Sequence, residues 1–172
     1  MNEPAQGSQP KAGRPVFPEG YGIPENDEGL LPWNTIEERM RAAKNYWIAT
    51  ATPRGKPAAT PVWGGWIEGR LYFDGAPTTR RGRNISRNPR VVVHLESGDE
   101  VVILEGEAVI LAEAPERGLA EKLSKEYTAK YGALGYAPAP ESWDGGGLFI
   151  FTPQTVMAWT KFPQDVTRWT FA

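Results

Sequence analysis

Five arginines (Arg80, Arg81, Arg83, Arg87 and Arg90) fall within eleven positions of this chain, out of nineteen basic residues in all. They follow Thr79 in the run Thr79-Arg80-Arg81-Gly82-Arg83-Asn84. A guanidinium is a planar fork of donors that matches phosphate oxygens, and each such contact is charge-assisted. Threonine caps helix starts, where free N–H groups and the helix dipole favour an anion. The run therefore describes either a solvated basic helix face or a phosphate socket. Nucleic acid and a small phosphorylated ligand both carry the matching group. The net charge of −2 favours the small ligand and argues against general nucleic-acid or membrane affinity.

Other chemistry is sparse. With no cysteine, thiolate metal sites and cysteine nucleophiles are excluded. His94 is the only histidine, so no Ser/His/Asp arrangement is readable. Glu105 and Glu107 share one side of an alternating strand, with Glu96 and Asp99 near the preceding turn, but no acidic group has metal-ligand spacing, and no metal site is expected. A chain this poor in catalytic side chains points to a cofactor that carries the hard chemistry. Trp63, Trp66, Tyr72, Phe73, Trp159 and Trp169 lie on strand-like runs. Core packing accounts for most of them, and one or two are left to wall in a flat heterocycle.

The elements that must position these residues read as short strands with few helices. Asn34, with Glu37 three positions on, has the pattern of a capped helix start, and Ile36, Met40 and Ala43 continue as one stripe to about Lys44. Strands are expected over 46–52, 57–66 and 71–73, joined by tight turns. Thr79 to Arg87 reads as a short helix stopped by Asn88-Pro89. Strands follow over 90–96 and 101–111. Pro115 to Tyr131 is a second long helix, striped by Leu119, Leu123, Tyr127 and Tyr131. Residues 132–147 form a loop, and strands over 148–152, 155–162 and 166–171 close the chain. This order predicts a mainly β protein, an antiparallel barrel with helices packed outside. Residues 1–32 carry six prolines and five glycines and are expected as a flexible arm before a domain at 33–172. The N-terminus lacks a signal-peptide pattern and no apolar run is long enough for a membrane helix, so a cytoplasmic location is expected.

From Tyr46 to Ala108 the chain resembles the pyridoxamine-phosphate-oxidase-like split β-barrel superfamily of flavin and deazaflavin proteins. The residues that carry the resemblance are Pro61-Val62-Trp63, Leu71-Tyr72-Phe73, Thr79 to Asn84, Asn88-Pro89 and Leu104-Glu105-Gly106. Thr167 to Phe171 also resembles the end of many members. The resemblance implies a six- to eight-stranded antiparallel split barrel that forms a homodimer, with two cofactor sites at the interface. It implies that Thr79, Arg80 and Arg81 hold a cofactor phosphate, that Asn84 faces the same ligand, and that Thr60, Pro61, Val62 and Trp63 run beside the ring. Trp159, Lys161 and Arg168 would reach the partner's site. The C-terminal substrate-phosphate residues of true pyridoxamine-phosphate oxidases are not found. The implied cofactor is FMN or coenzyme F-420, with Arg54, Lys56 and Arg83 as landing points for the acidic tail of the latter. The implied activity is hydride transfer to or from a small organic substrate with no catalytic side chain assigned; the alternative is a non-catalytic flavin carrier of the same fold.

Overall fold

The computed structural model describes residues 9–171. Nine strands and three α-helices follow one another as β1 (Lys11–Gly13), α1 (Trp33–Ala42), β2 (Tyr46–Ala51), β3 (Pro57–Val62), β4 (Gly64–Ile67), β5 (Arg70–Asp74), α2 (Arg80–Arg87), β6 (Arg90–His94), β7 (Val101–Ile110), α3 (Arg117–Tyr131), β8 (Leu148–Trp159) and β9 (Thr167–Thr170). Every pairing is antiparallel, and the main path runs β1-β9-β8-β7-β6-β2-β3. The start of β8 also pairs with β5, which carries β4 on its other edge. That fork splits the barrel, and it leaves β3 as an edge strand beside the β5 terminus.

Period-two alternation decides what each strand buries. Ile48, Val93, Leu104, Val156 and Trp169 stand in register across five strands, all buried. They meet Ile36 and Met40 from α1 and Phe73, Phe149 and Phe151 in one core. One residue earlier or later on each strand, Trp47, His94, Ile103, Met157 and Arg168 form the opposite row, half-buried or exposed. A second core lies under α3, where Leu123, Tyr127 and Tyr131 pack on Tyr72, Trp143 and Leu148.

The structure departs from the sequence-based expectations in four places. β8 is one strand where Pro153 predicts a break. The proline is absorbed at a bulge: Glu105 pairs with Thr155 and Gly106 with Pro153, leaving Gln154 extra. Gly106 is required there, because a Cβ would sit 2.1 Å from the Thr152 carbonyl oxygen. The expected strand at 57–66 is instead two, broken at Trp63 so that β4 can leave for β5. Asn34 does not cap α1; Pro32 occupies the cap position, and its fixed φ suits entry into a helix without a side-chain acceptor. The arm joins the sheet from Lys11 on, because the Arg14 guanidinium donates to the carbonyls of Asn26, Gln164 and Val166. Residues 1–8 of that arm lie outside the described residues. The strand count is thus nine rather than six to eight. Among the described residues no helix is long and apolar enough to cross a membrane.

Candidate functional site

The site is built where α2 meets the open edge of β3 and the end of β5. Thr79 caps α2 as its residue type predicts. Its hydroxyl accepts from Gly82 N at 3.1 Å and donates to Ala76 O at 2.8 Å. Gly82 fits because its missing Cβ would lie 2.5 Å from the Pro77 carbonyl oxygen. Arg80 donates to Pro57 O at 3.0 Å, and Arg81 donates to Thr60 Oγ1 and to Asp74 O, both at 3.2 Å. Pro61 belongs on such an edge, since it has no N–H to give to a ladder.

Arg81 is the electrostatic centre. Its guanidinium lies 5.6 Å from the Phe73 ring centroid, and its Nε is buried with no partner. Burial pulls its pKa below the usual guanidinium value. Among the described residues, no carboxylate lies within 4.0 Å of Arg80, Arg81, Arg83, Arg87 or Arg90. A half-buried cation with an orphaned donor and no close carboxylate is the kind of group that an anion can satisfy.

Beside Arg81 opens a cleft of about 300 Å³, walled by Pro61, Val62, Trp63, Asp74 and Tyr136 with Tyr127 behind. Trp63 stacks on Tyr131 with ring centroids 4.6 Å apart and planes within 7°, and Tyr136 tilts against it at 5.8 Å, leaving the indole part-exposed at the cleft. Tyr131 is held in turn by Gly64 N, which donates to its hydroxyl at 3.0 Å, and by donating itself to Lys44 O at 2.8 Å. The result is a rigid aromatic platform within reach of a fixed cation.

Of the residues singled out in the sequence, Thr60, Pro61, Val62, Trp63, Thr79, Arg80 and Arg81 come together here. Asn84 does not face the cleft. It is 5% exposed and its amide donates to the buried Thr50 hydroxyl at 2.9 Å, pinning α2 to β2. Trp159, Lys161 and Arg168 lie toward the opposite end of β8 from Leu148, which pairs with Asp74. Trp159 packs edge-on against Phe162, and the Lys161 side chain is exposed. His94 stacks parallel to Trp47 at 6.2 Å, and its Nδ1 donates to Leu95 O, away from the cleft.

Sequence reasoning missed a carboxylate hub. Asp74 accepts from Tyr136 Oη at 2.7 Å, Trp143 Nε1 at 2.9 Å and Tyr127 Oη at 3.3 Å. Burial, then the Asp74 charge, push the Tyr127 hydroxyl pKa well up; burial and the hydrogen bond to Asp74 do the same to Tyr136. In sequence, Asp74 is an ordinary turn residue after a strand, and Tyr136 sits in a Gly/Pro-rich loop. Only the stripe containing Tyr127 carried a signal, and that signal meant core.

The fork at β8, the edge strand and the capped α2 together define a split β-barrel. The chain belongs to the pyridoxamine 5'-phosphate oxidase family, whose sequence model matches residues 33–160. Solved structures with the same fold include a conserved hypothetical protein from Mycobacterium tuberculosis, with TM-score 0.62 at 18% identity over 80% of this chain and 89% of the other. A FAD-binding protein from Mesorhizobium loti gives 0.57 at 18% identity, over 83% and 96%. A heme storage protein from Vibrio cholerae gives 0.56 at 17% identity, over 73% and 92%. At these identities the likeness shows the fold alone. No curated protein matches the sequence at a significant level.

Proposed function

We propose that the protein is a cytoplasmic, homodimeric oxidoreductase that uses FMN or coenzyme F-420 to move a hydride to or from a small organic substrate. The observation that carries the reading is Arg81: a half-buried guanidinium with an orphaned Nε and no carboxylate within 4.0 Å, in the same cleft as the part-exposed Trp63 indole. Family membership and a FAD-binding neighbour of the same fold support it. The heme storage neighbour shows that this fold also serves other ligands. Here the sole histidine is turned onto Trp47 and there is no cysteine, which favours a flavin or deazaflavin over an iron-ligating role.

When bound, the cofactor supplies the hydride chemistry. Arg80, Arg81 and the first turn of α2 behind Thr79 would hold its phosphate. Trp63, braced by Tyr131, would orient the ring and keep water from one side. Thr60 to Val62 would offer the ring the free backbone groups of an edge strand. Arg54, Lys56 and Arg83 remain the candidate contacts for an acidic tail. The homodimer rests on the row Trp47, Ile103, Met157 and, two residues along, Trp159, an apolar sheet face left half-exposed in one chain. Arg168 stands on that same face and would reach a partner's site in such a dimer.

The test is to titrate the purified protein with FMN and F-420 separately. Binding of one below about 100 μM is expected, and failure of both sinks the reading. A second reading, a carrier without turnover, is favoured by one observation: the Asp74, Tyr127 and Tyr136 polar groups at the cleft are all already hydrogen-bonded to one another. The discriminator is whether reduced cofactor on the protein is oxidised by quinones, enones or tetrapyrroles faster than free cofactor is.

A further inference from the structure

Asp74 and Tyr136 also wall a second cleft of about 270 Å³, together with Gly75, Ala76, Ser142, Trp143, Gly146 and Gly147, with the Arg81 guanidinium behind Gly75. The loop that closes it is tied to the end of β5 by Gly75 N donating to Gly147 O at 3.0 Å. Gly146 and Gly147 both have positive φ, 82° and 86°, so this wall is bare backbone.

The charge of this cleft differs from that of its neighbour. All three donors to the Asp74 carboxylate are neutral hydroxyl or indole groups. Among the described residues no lysine or arginine lies within 4.0 Å of it, and the Arg81 guanidinium reaches only the Asp74 main-chain oxygen. Neutral donors satisfy lone pairs but leave the negative charge in place. None of the residues lining the second cleft is basic.

We infer that this second cleft is a subsite for a small organic cation, a primary or quaternary ammonium group, with Asp74 as its specificity-determining residue. The two clefts then share one wall and divide the charges: an anion goes to Arg81, a cation to Asp74. The inference rests on the proposed function only in making this ligand the substrate; the cation preference stands on the geometry alone.

Three probes with one ring and different charge decide it: benzylammonium, benzyl alcohol and benzoate, each titrated calorimetrically into the full-length protein at pH 7.5 and low salt. Benzylammonium is expected to bind roughly tenfold tighter than the alcohol, and benzoate no tighter than the alcohol. Asp74→Asn is expected to level the series. Because that change leaves one amide hydrogen facing former donors, Ser142→Arg serves as a second variant. It places a positive charge at the rim without touching any Asp74 partner, and it is expected to abolish benzylammonium binding. Equal affinities, tighter benzoate, no benzylammonium binding up to about 10 mM, or a preference that survives both variants would each overturn the subsite. FMN and F-420 titrations of the same samples separate the outcomes. Loss of cofactor binding with the cation preference intact refutes the oxidoreductase reading alone, and the converse refutes the subsite alone.

Discussion

Arg81 reaches across the open edge of the sheet to Thr60, its Nη1 donating to the threonine hydroxyl at 3.2 Å, while its Nη2 donates to Asp74 O at the same distance. One side chain thereby ties α2 to two strands that do not pair with each other, β3 and β5. It does so with no carboxylate within 4.0 Å among the described residues. Desolvating a cation without a close counter-ion costs stability, which separates a binding role for Arg81 from a folding role by experiment.

Arg81→Met tests that separation. Methionine keeps the apolar stem against Phe73 and removes the orphaned charge. The apo protein is expected to melt at the same temperature or higher. Affinity for FMN or F-420 is expected to fall at least roughly tenfold, in line with about 1.5–3 kcal/mol for a charge-assisted contact. Arg87→Ala, in the last turn of α2, is expected to leave affinity unchanged. Melting curves with and without cofactor measure both, and a variant that loses stability in step with affinity would refute the division.

Much of this was legible from residue types. The Thr79 cap, the Asn88-Pro89 stop and the alternation of Val91 to His94 each follow from local backbone physics, and each stands in the structure, although the strand ends two residues before Glu96. The edge-strand half of the cleft, Thr60 to Trp63, came only from what the family resemblance implies. Asp74 with Tyr136 and Trp143 was not legible. Those contacts span 62 and 69 residues and depend on a loop whose course no local pattern encodes. Asn84 shows the opposite failure. Spacing placed it on the short helix, but only packing against Thr50 tells which face of that helix is buried.

Two glycines in helices carry opposite expectations. A Cβ at Gly82 would meet Pro77 at 2.5 Å and 2.8 Å, all backbone atoms that cannot swing away, whereas a Cβ at Gly118 meets nothing within 4 Å. Gly82→Ala is expected to cost about 1–3 kcal/mol through overpacking, and to weaken cofactor binding as the 77–82 turn opens. Gly118→Ala, in the first turn of α3, is expected to gain about 0.5–1 kcal/mol. Urea midpoints of the two variants check the pair, and equal shifts would show that the close approach at Gly82 is not real.

The half-exposed sheet face gives an assembly prediction. Ile103 and Met157 are cross-strand neighbours there, flanked by His94 on one side and Arg168 on the other. Ile103→Arg or Met157→Arg puts an unpaired charge in the middle of the face proposed to meet a second copy. Sedimentation of the parent protein is expected to give a dimer and of either variant a monomer, with the strand content by circular dichroism retained. A parent protein that sediments as a monomer would remove the interface, and with it the reach of Trp159, Lys161 and Arg168 into a partner's site.

Alkaline pH is expected to unfold the protein earlier than its charge alone would. Tyr46, Tyr127 and Tyr131 are fully buried. Burial is the first cause of the rise in each hydroxyl pKa, which reaches about 12 for Tyr131 and goes higher for Tyr46. Their folded values lie above the unfolded value near 10, so the native state keeps protons that the unfolded state releases. Stability from these groups is fully present below about pH 10 and falls as pH climbs toward the folded values, by up to about 1.4 kcal/mol per pH unit for each. Lys130 acts the other way. Burial lowers its pKa despite the Glu126 carboxylate 3.0 Å away, so its contribution rises with pH until the unfolded lysine also loses its proton. Three tyrosines against one lysine leave a net loss. Urea midpoints between pH 8 and 11.5 should therefore drop steeply above about pH 10. Tyrosinate absorbance of the core residues should appear together with unfolding rather than before it. A midpoint flat through that range would mean that these hydroxyls titrate freely and that the Tyr131 brace under Trp63 is loose.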